Sequence, residues 1–292
     1  MRVLVTGGSG FVGGNVVQRL ISENVECITL GRAAVHASSE HLTIDLLEDQ
    51  CFDELLMNLK PTHLVHLAWC TEHGKYWASE ENLRWVCSTY GLLNAFLKHG
   101  GRYAFIAGTC AEYDWRYGYC DEELTPCNPG TLYGIAKDAT RRMCQLLASN
   151  YDIPLTWGRI FFPYGPSEKS QRLIPSLFKA FRGELEPFGV NNRYLRDFVH
   201  VDDLVSAILT CIQRKLDGVI NLSSGNPVAL EQIVRIIATV EGKDPNLILD
   251  RRSPDRAEPQ LLVGKNEKLR SLGWNPEQDL ETAIASLSVL EQ

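Results

Sequence analysis

Short apolar runs alternate with helix-length segments through the first two-thirds of the chain. Val3–Thr6, Glu26–Leu30, His63–Ala68, Tyr103–Ala107, Leu155–Ile160 and Val219–Leu222 are β-rich and bounded by Gly, Pro or polar breaks, so they predict buried parallel strands. Val12–Ser22, Cys51–Leu59, Ser79–His99 and Thr131–Ser149 lie between them with apolar residues at helical spacing. In the last of these, Leu132, Ile135, Ala136, Ala139, Met143, Leu146 and Leu147 trace one stripe. The alternation predicts an α/β fold with a doubly wound parallel sheet. After Tyr164-Gly165-Pro166 the regularity loosens and prolines punctuate shorter segments. The expected division is 1–164 plus about 200–222 for the sheet domain, and about 165–199 plus 223–292 for a smaller C-terminal lobe that takes the substrate.

Directly after the first strand, Thr6-Gly7-Gly8-Ser9-Gly10-Phe11-Val12-Gly13 opens a helix, and Gly7, Gly10 and Gly13 fit G-x-x-G-x-x-G. Strand before and helix after is the context in which such glycines let backbone approach a pyrophosphate, which the free N–H groups of the helix start (Phe11, Val12, Gly13) then hold. This predicts a dinucleotide site of Rossmann type. The second strand ends at Leu30-Gly31-Arg32, without the acidic residue that would bond the ribose 2′-hydroxyl of NAD. Arg32 can pair with a 2′-phosphate instead, so the expected cofactor is NADP, with NAD as the alternative if Arg32 is only a solvated surface residue. Asp45-Leu46 fit the adenine, by bonding its amino group and packing on its ring. Leu67, Ala68 and Trp69 end the third strand, where backbone passes close to the cofactor. His66 reads as a satisfied core histidine.

Tyr133 and Lys137 stand four residues apart and share a helix face. An unperturbed phenol titrates near 10, and a nearby ammonium lowers that value toward one useful for proton transfer at neutral pH. Thr109 ends the fourth strand, at the sheet edge where ligands bind, and can orient the same substrate oxygen. Together the three predict an acid/base site for an alcohol or ketone oxygen while a nicotinamide exchanges hydride with the carbon.

Composition narrows the partners. The chain has 292 residues, 45% hydrophobic and 22% charged, which excludes a wholly disordered protein. Its 29 basic against 36 acidic residues leave a net charge of −7, so neither nucleic acid nor anionic lipid is expected as a partner. No apolar run approaches the roughly 18 residues of a membrane span. Nine scattered cysteines without a C-x-x-C predict neither a disulfide framework nor a zinc site, and Cys70 with His73 lacks further ligands, so no metal is expected. The expected setting is soluble and cytoplasmic.

The sequence resembles the extended short-chain dehydrogenase/reductase family, the group of sugar-nucleotide epimerases, dehydratases and ketoreductases. The resemblance rests on Gly7/Gly10/Gly13, Asp45-Leu46, His66-Leu67-Ala68, Thr109, Tyr133/Lys137, Tyr164-Gly165-Pro166, Arg196-Asp197-Phe198-Val199-His200-Val201-Asp202-Asp203 and Asn221-Leu222-Ser223-Ser224-Gly225. It implies Thr109, Tyr133 and Lys137 as catalytic residues, with Tyr133 and Lys137 also on the nicotinamide ribose. It implies a nucleotide-sugar substrate whose diphosphate meets Arg196, the alternative being that Arg196 is a structural partner of Asp197. Arg252, flanked by Arg251 and Arg256, is a second phosphate candidate, and Lys169 and Arg172 are candidates to reach the nucleotide. Tyr76, Trp77 and Tyr113 are the stacking candidates. A homodimer through the helices at 79–99 and 131–149 is also implied.

Departures from the family pattern sort its members. The Asp-Glu pair that dehydratases carry after the Thr is Cys110-Ala111 here, and the Cys/His pair of 3,5-epimerases finds Arg172 at its second position, so Cys110 reads as a pocket-wall residue. The family helix motif Asn-Val-x-Gly-Thr is Trp85-Val86-Cys87-Ser88-Thr89, leaving Asn82 one turn upstream as a substitute amide. Phe162 replaces an Asn before Tyr-Gly-Pro, which implies a less polar pocket suited to a deoxysugar. What remains is a 4-ketoreductase or a 4-epimerase. With Arg32 favouring NADP, the expected activity is reduction of a nucleoside-diphosphate-4-keto-6-deoxyhexose. The alternatives are an NAD-dependent 4-epimerase and, outside the enzymes, an NADP(H)-sensing module.

Overall fold

The structure, a computed structural model, describes residues 1–35, 40–49, 51–253 and 258–290. In chain order the first half holds β1 (Arg2–Thr6), α1 (Phe11–Ser22), β2 (Glu26–Gly31), β3 (Glu40–Thr43), α2 (Phe52–Leu59), β4 (His63–His66), α3 (Glu81–Lys98), β5 (Tyr103–Thr109), β6 (Tyr119–Cys120) and α4 (Leu132–Asn150). The second half holds β7 (Leu155–Ile160), β8 (Phe162–Tyr164), α5 (Leu173–Arg182), β9 (Leu195–Arg196), β10 (Phe198–His200), α6 (Val201–Arg214), β11 (Gly218–Leu222), β12 (Val228–Ala229), α7 (Leu230–Glu241), α8 (Asn246–Leu249), β13 (Leu261–Gly264), α9 (Glu267–Ser271) and α10 (Leu280–Leu290).

Among the described residues, seven parallel strands form the main sheet in the order β11-β7-β5-β4-β1-β2-β3. Strand order reverses between β1 and β4, and a crevice at the carboxyl ends opens at such a switch point. One face packs Val3, Val5 and Val65 against Val16, Val17 and Leu20 of α1 and Leu204, Ile208 and Ile212 of α6. The other packs Leu4, Leu64 and Ile106 against Leu56, Leu92, Phe96 and Leu147 of α2, α3 and α4. Helices on both faces make the sheet doubly wound.

The edge strand β3 escaped the apolar pattern because its residues, Glu40 to Thr43, are half-buried or exposed. The stripe expected on α4 is also redrawn. Its buried side is Tyr133, Ala136, Lys137, Thr140, Cys144 and Leu147, while Ile135, Met143 and Leu146 are exposed. The buried side of the helix includes the polar Tyr133, Lys137 and Thr140, and part of its apolar surface is left on the outside.

A smaller mixed sheet runs β12-β9-β13-β6, in which β6 of the first half pairs with β13. It lies beside a separate core formed by α5, α7 and α10 through Leu177, Phe178, Ile233, Ile237, Ile284 and Leu287. Asp197 stitches this region together. Its buried carboxylate accepts from Ser224 N and Oγ, Gly225 N and Gly264 N. No helix of the described residues is long and apolar enough to cross a membrane.

Candidate active site

The glycine loop is a cradle that side chains would fill. Gly7 has φ +73°, and a Cβ there would lie 2.7 Å from Ala68 N; a Cβ on Gly13 would lie 2.0 Å from Gly7 O. Gly10 N donates to Gly7 O at 2.9 Å and serves as N-cap of α1, which has no side-chain cap and no acidic residue in its first turn. The amides of Phe11, Val12 and Gly13 are therefore first-turn donors without a helical acceptor, and the helix dipole adds positive potential. These features fit a dinucleotide diphosphate. Beside the loop, His66 is a core residue: Nδ1 bonds Thr6 Oγ1 at 2.7 Å and Nε2 bonds Thr89 Oγ1 at 2.9 Å. Burial pushes its pKa down to about 3. Thr6 Oγ1 also accepts from Ala68 N, which pins the Leu67-Ala68 backbone against the loop.

Among the described residues Arg32 builds no phosphate pocket. Its side chain is 80% exposed, and the ionic partner it has is Asp45 at 3.9 Å. Asp45 in turn accepts from Leu47 N at 3.0 Å, holding the turn whose Leu46 is buried in the core and whose Leu46 carbonyl accepts from Ser88 Oγ.

Thr109, Tyr133 and Lys137 come together at the carboxyl end of β5. Thr131 caps α4 by accepting from Gly134 N, so Tyr133 and Lys137 sit on the first two turns with their side chains buried. The approach is close: a Cβ on Gly134 would lie 2.3 Å from Ala111 O. Lys137 Nζ donates to Ala107 O at 2.8 Å and lies 3.8 Å above the Trp69 ring centroid. Burial pushes its pKa down to about 7, with the Glu112 charge opposing. Burial drives the Tyr133 phenol strongly upward, while hydrogen bonding with Thr109 works the other way. Tyr133 is ringed edge-on by Tyr76 at 4.9 Å, Trp77 at 5.7 Å and Trp69 at 6.5 Å. Trp115 closes this wall against Trp77 and donates its indole N–H to Cys110 O.

Tyr76 leads toward a basic end. Burial raises its pKa to about 12, opposed by its hydrogen bond with Arg172. Arg172 is the N-cap of α5 and also pairs with Glu168 at 3.6 Å. Arg196 bonds Leu195 O at 3.0 Å and Glu258 at 3.1 Å, with its guanidinium against the rings of Tyr194 and Phe162. The expected alternative of an Arg196–Asp197 pair is corrected, because the Asp197 carboxylate is taken up by four donors from Ser224, Gly225 and Gly264. Phe162 is thus a platform for Arg196.

Other expectations are redrawn. Lys169 is exposed, and it is its backbone carbonyl that takes part, accepting from Arg172 N. The Arg252 side chain is exposed while its carbonyl packs onto Gly189, and Arg256 lies outside the described residues. Cys110 is buried in a small cluster with Cys120, Phe161 and Leu262, and burial raises its thiol pKa. Tyr113 is fully buried and donates to Asn221 Oδ1 at 2.7 Å, so it is a core residue with no face for stacking. Asn82 is no cofactor amide: it donates to Tyr76 O and Ser79 O and accepts from Trp69 Nε1, holding the loop of aromatics. Sequence reasoning missed Glu112 and Glu258. Glu112 carried a signal, because Thr109-Cys110-Ala111-Glu112 has the T-x-x-E spacing of a capping box, and that box is formed.

Comparison with known proteins supplies context. The model of the family described as NAD dependent epimerase/dehydratase matches residues 3–223. The UDP-glucose 4-epimerase of Halalkalibacterium halodurans is 25% identical over 97% of this chain and 93% of its own. The dTDP-L-rhamnose 4-epimerase of Burkholderia thailandensis is 24% identical over 98% and 93%. Among solved structures, MoeE5 in complex with UDP-glucose and NAD matches with a TM-score of 0.86 and 23% identity, covering 100% of this chain and 98% of that one. Two expectations are corrected by these findings. The two relatives named here are 4-epimerases where a 4-ketoreductase was expected, and MoeE5 holds NAD where NADP was expected. The exposed Arg32, occupied by Asp45, is the physical side of the second correction.

Proposed function

We propose, from the premise that this chain belongs to the NAD dependent epimerase/dehydratase family, that it is an NAD-dependent nucleotide-sugar 4-epimerase. The observation that carries this reading is the convergence of Thr109, Tyr133 and Lys137 in one dry corner beside the glycine cradle. The diphosphate of the dinucleotide would be held by Gly7, Gly10, Phe11, Val12 and Gly13, and the adenine by Asp45 and Leu46. Leu67, Ala68 and Trp69 would line the path toward Tyr133 and Lys137, which would hold the nicotinamide ribose. When bound, NAD supplies the acceptor, and then the donor, of hydride at C4 of the sugar.

Tyr133 takes the proton of the C4 hydroxyl and later returns it to the same oxygen. Thr109 aligns that oxygen by a hydrogen bond, and Lys137 stabilises the phenolate. The returning hydride must reach the opposite face of C4, so the 4-keto sugar has to turn while the nucleotide stays fixed. Arg196 and Arg172 anchor the anionic end, since a guanidinium bonds two phosphate oxygens at once. Tyr76, Trp77, Cys110 and Phe162 give the sugar end walls poor in hydrogen-bonding groups, which let it swing.

The enzyme works as a homodimer in this proposal. The outer faces of α3 and α4 expose Leu83, Tyr90, Ile135, Met143 and Leu146, an apolar surface that a second copy covers. The functional test is to extract the cofactor from the purified protein, then incubate it with NAD and a panel of UDP- and dTDP-hexoses, following 4-epimers by NMR. Interconversion that Tyr133→Phe abolishes, with NAD affinity intact, supports the reading; full activity in Tyr133→Phe defeats it.

A further inference from the structure

Glu112 is a fully buried carboxylate bonded at both oxygens, and the reaction as described does not use it. It is 0% exposed. Oε1 accepts from Thr109 N at 2.8 Å and from Trp157 Nε1 at 2.9 Å; Oε2 accepts from Arg159 Nε at 2.8 Å. Arg141, one turn beyond Lys137 on α4, approaches it at 3.9 Å. One side chain thus joins the end of β5, the middle of β7 and the catalytic helix. Gly108 makes room for this. A Cβ there would lie 2.1 Å from Trp157 Nε1 and 2.7 Å from Glu112 Oε1. A buried Glu–Arg pair adds little stability over apolar residues of the same volume, because desolvation cancels most of the attraction. Its position beside Thr109 suggests a different service.

We propose that Glu112 is a positioning residue for the acid/base site: its carboxylate fixes the Thr109 turn through the backbone amide and sets the local charge felt by Tyr133 and Lys137. The inference rests on the epimerase reading of that site. Thr109 Oγ1 accepts from Ala111 N within the same capping box, so the hydroxyl's direction follows from the turn that Glu112 closes. The groups facing Glu112 are Trp157 and Arg159 from β7, and Arg141, Lys137 and Tyr133 from α4. Beyond Arg159 lie Cys127, at 2.9 Å from Nη2, and the Tyr113 ring. The carboxylate charge raises the pKa of both Tyr133 and Lys137.

The two effects separate experimentally. Glu112→Gln removes the charge, so both pKa values fall. The rising limb of the pH–rate profile, set by phenolate formation, and the falling limb, set by loss of the ammonium, then both move to lower pH by about half a unit or more. Glu112→Asp keeps the charge but shortens the reach to Thr109 N. Its limbs stay in place while kcat falls about tenfold to a hundredfold with KM held, as for a misplaced catalytic group. Amide hydrogen exchange at Thr109, measured without substrate, should accelerate in Glu112→Asp and stay near the wild-type rate in Glu112→Gln, whose side-chain carbonyl still accepts from Thr109 N. If Glu112→Gln does not fold, kcat and Thr109 exchange in Glu112→Asp decide the matter alone. Unmoved limbs in Glu112→Gln, or an unchanged kcat with a protected Thr109 amide in Glu112→Asp, would overturn the proposal. A wild type that turns over no sugar nucleotide would defeat the epimerase reading, and Thr109 exchange would still judge Glu112.

Discussion

The Lys137 ammonium lies against the face of Trp69, 3.8 Å from its ring centroid, and that ring is itself held by the Asn82 amide and stacked on Trp85 at 5.9 Å. An aromatic face favours the charged form of a buried amine, by about 2 kcal/mol when desolvated. It therefore offsets part of the burial that brings Lys137 down to about 7. The ammonium is present below the pKa and lost as pH rises through it. Trp69→Leu should lower that pKa further, so kcat at neutral pH falls severalfold and recovers as the pH is lowered toward 6. A pH–rate profile indistinguishable from wild type would show that the ring does not support the charge.

The glycine cradle makes a steric prediction. Gly13→Ala places a methyl 2.0 Å from the Gly7 carbonyl, a contact that only movement of the loop or of α1 relieves. Calorimetric titration should show NAD affinity reduced at least about tenfold, because the loop and the helix start jointly form the anion site.

Much of this architecture was legible in the chain. Parallel strands buried on both sides carry unbroken apolar runs, so β1, β2, β4, β5, β7 and β11 announced themselves, and Gly7, Gly10 and Gly13 stood where strand meets helix. Side chains whose meaning depends on a distant partner were harder. Arg32 reads as a phosphate ligand until Asp45 is seen beside it. Arg196 follows Leu195 and precedes Asp197, yet its ionic partner is Glu258, while Asp197 accepts from Ser224, Gly225 and Gly264. Tyr113 and Tyr76 are both aromatic residues near the crevice by sequence. Only the fold shows that Tyr113 hydrogen-bonds to Asn221 in the interior and Tyr76 faces Tyr133.

Arg196 should act on substrate binding more than on chemistry. Its guanidinium lies over the rings of Phe162 and Tyr194 and is bonded to Glu258. Arg196→Ala should raise KM for the sugar nucleotide about tenfold to a hundredfold with kcat changed far less, the cost of removing a charge-assisted bond to phosphate. A fall in kcat with KM unmoved would place it in the reacting centre instead.

The exposed side of α4 should carry the subunit contact. Leu146→Glu inserts a charge into the apolar surface made with Ile135 and Met143. Light scattering after gel filtration should report a dimer for the wild type and a monomer for the variant, with the folded state otherwise retained. A monomeric wild type would contradict the assignment.

The central claim is that hydrogen leaves C4 of the sugar and returns to the same carbon from the other face, with Tyr133 handling only the proton on oxygen. UDP- and dTDP-hexoses deuterated at C4 test this directly when the 4-epimer formed is analysed by NMR and mass spectrometry. Full retention of deuterium at C4, with no accumulation of NADH, is the expected result. Washout of deuterium into solvent, or one equivalent of NADH for each ketone formed, would contradict the account.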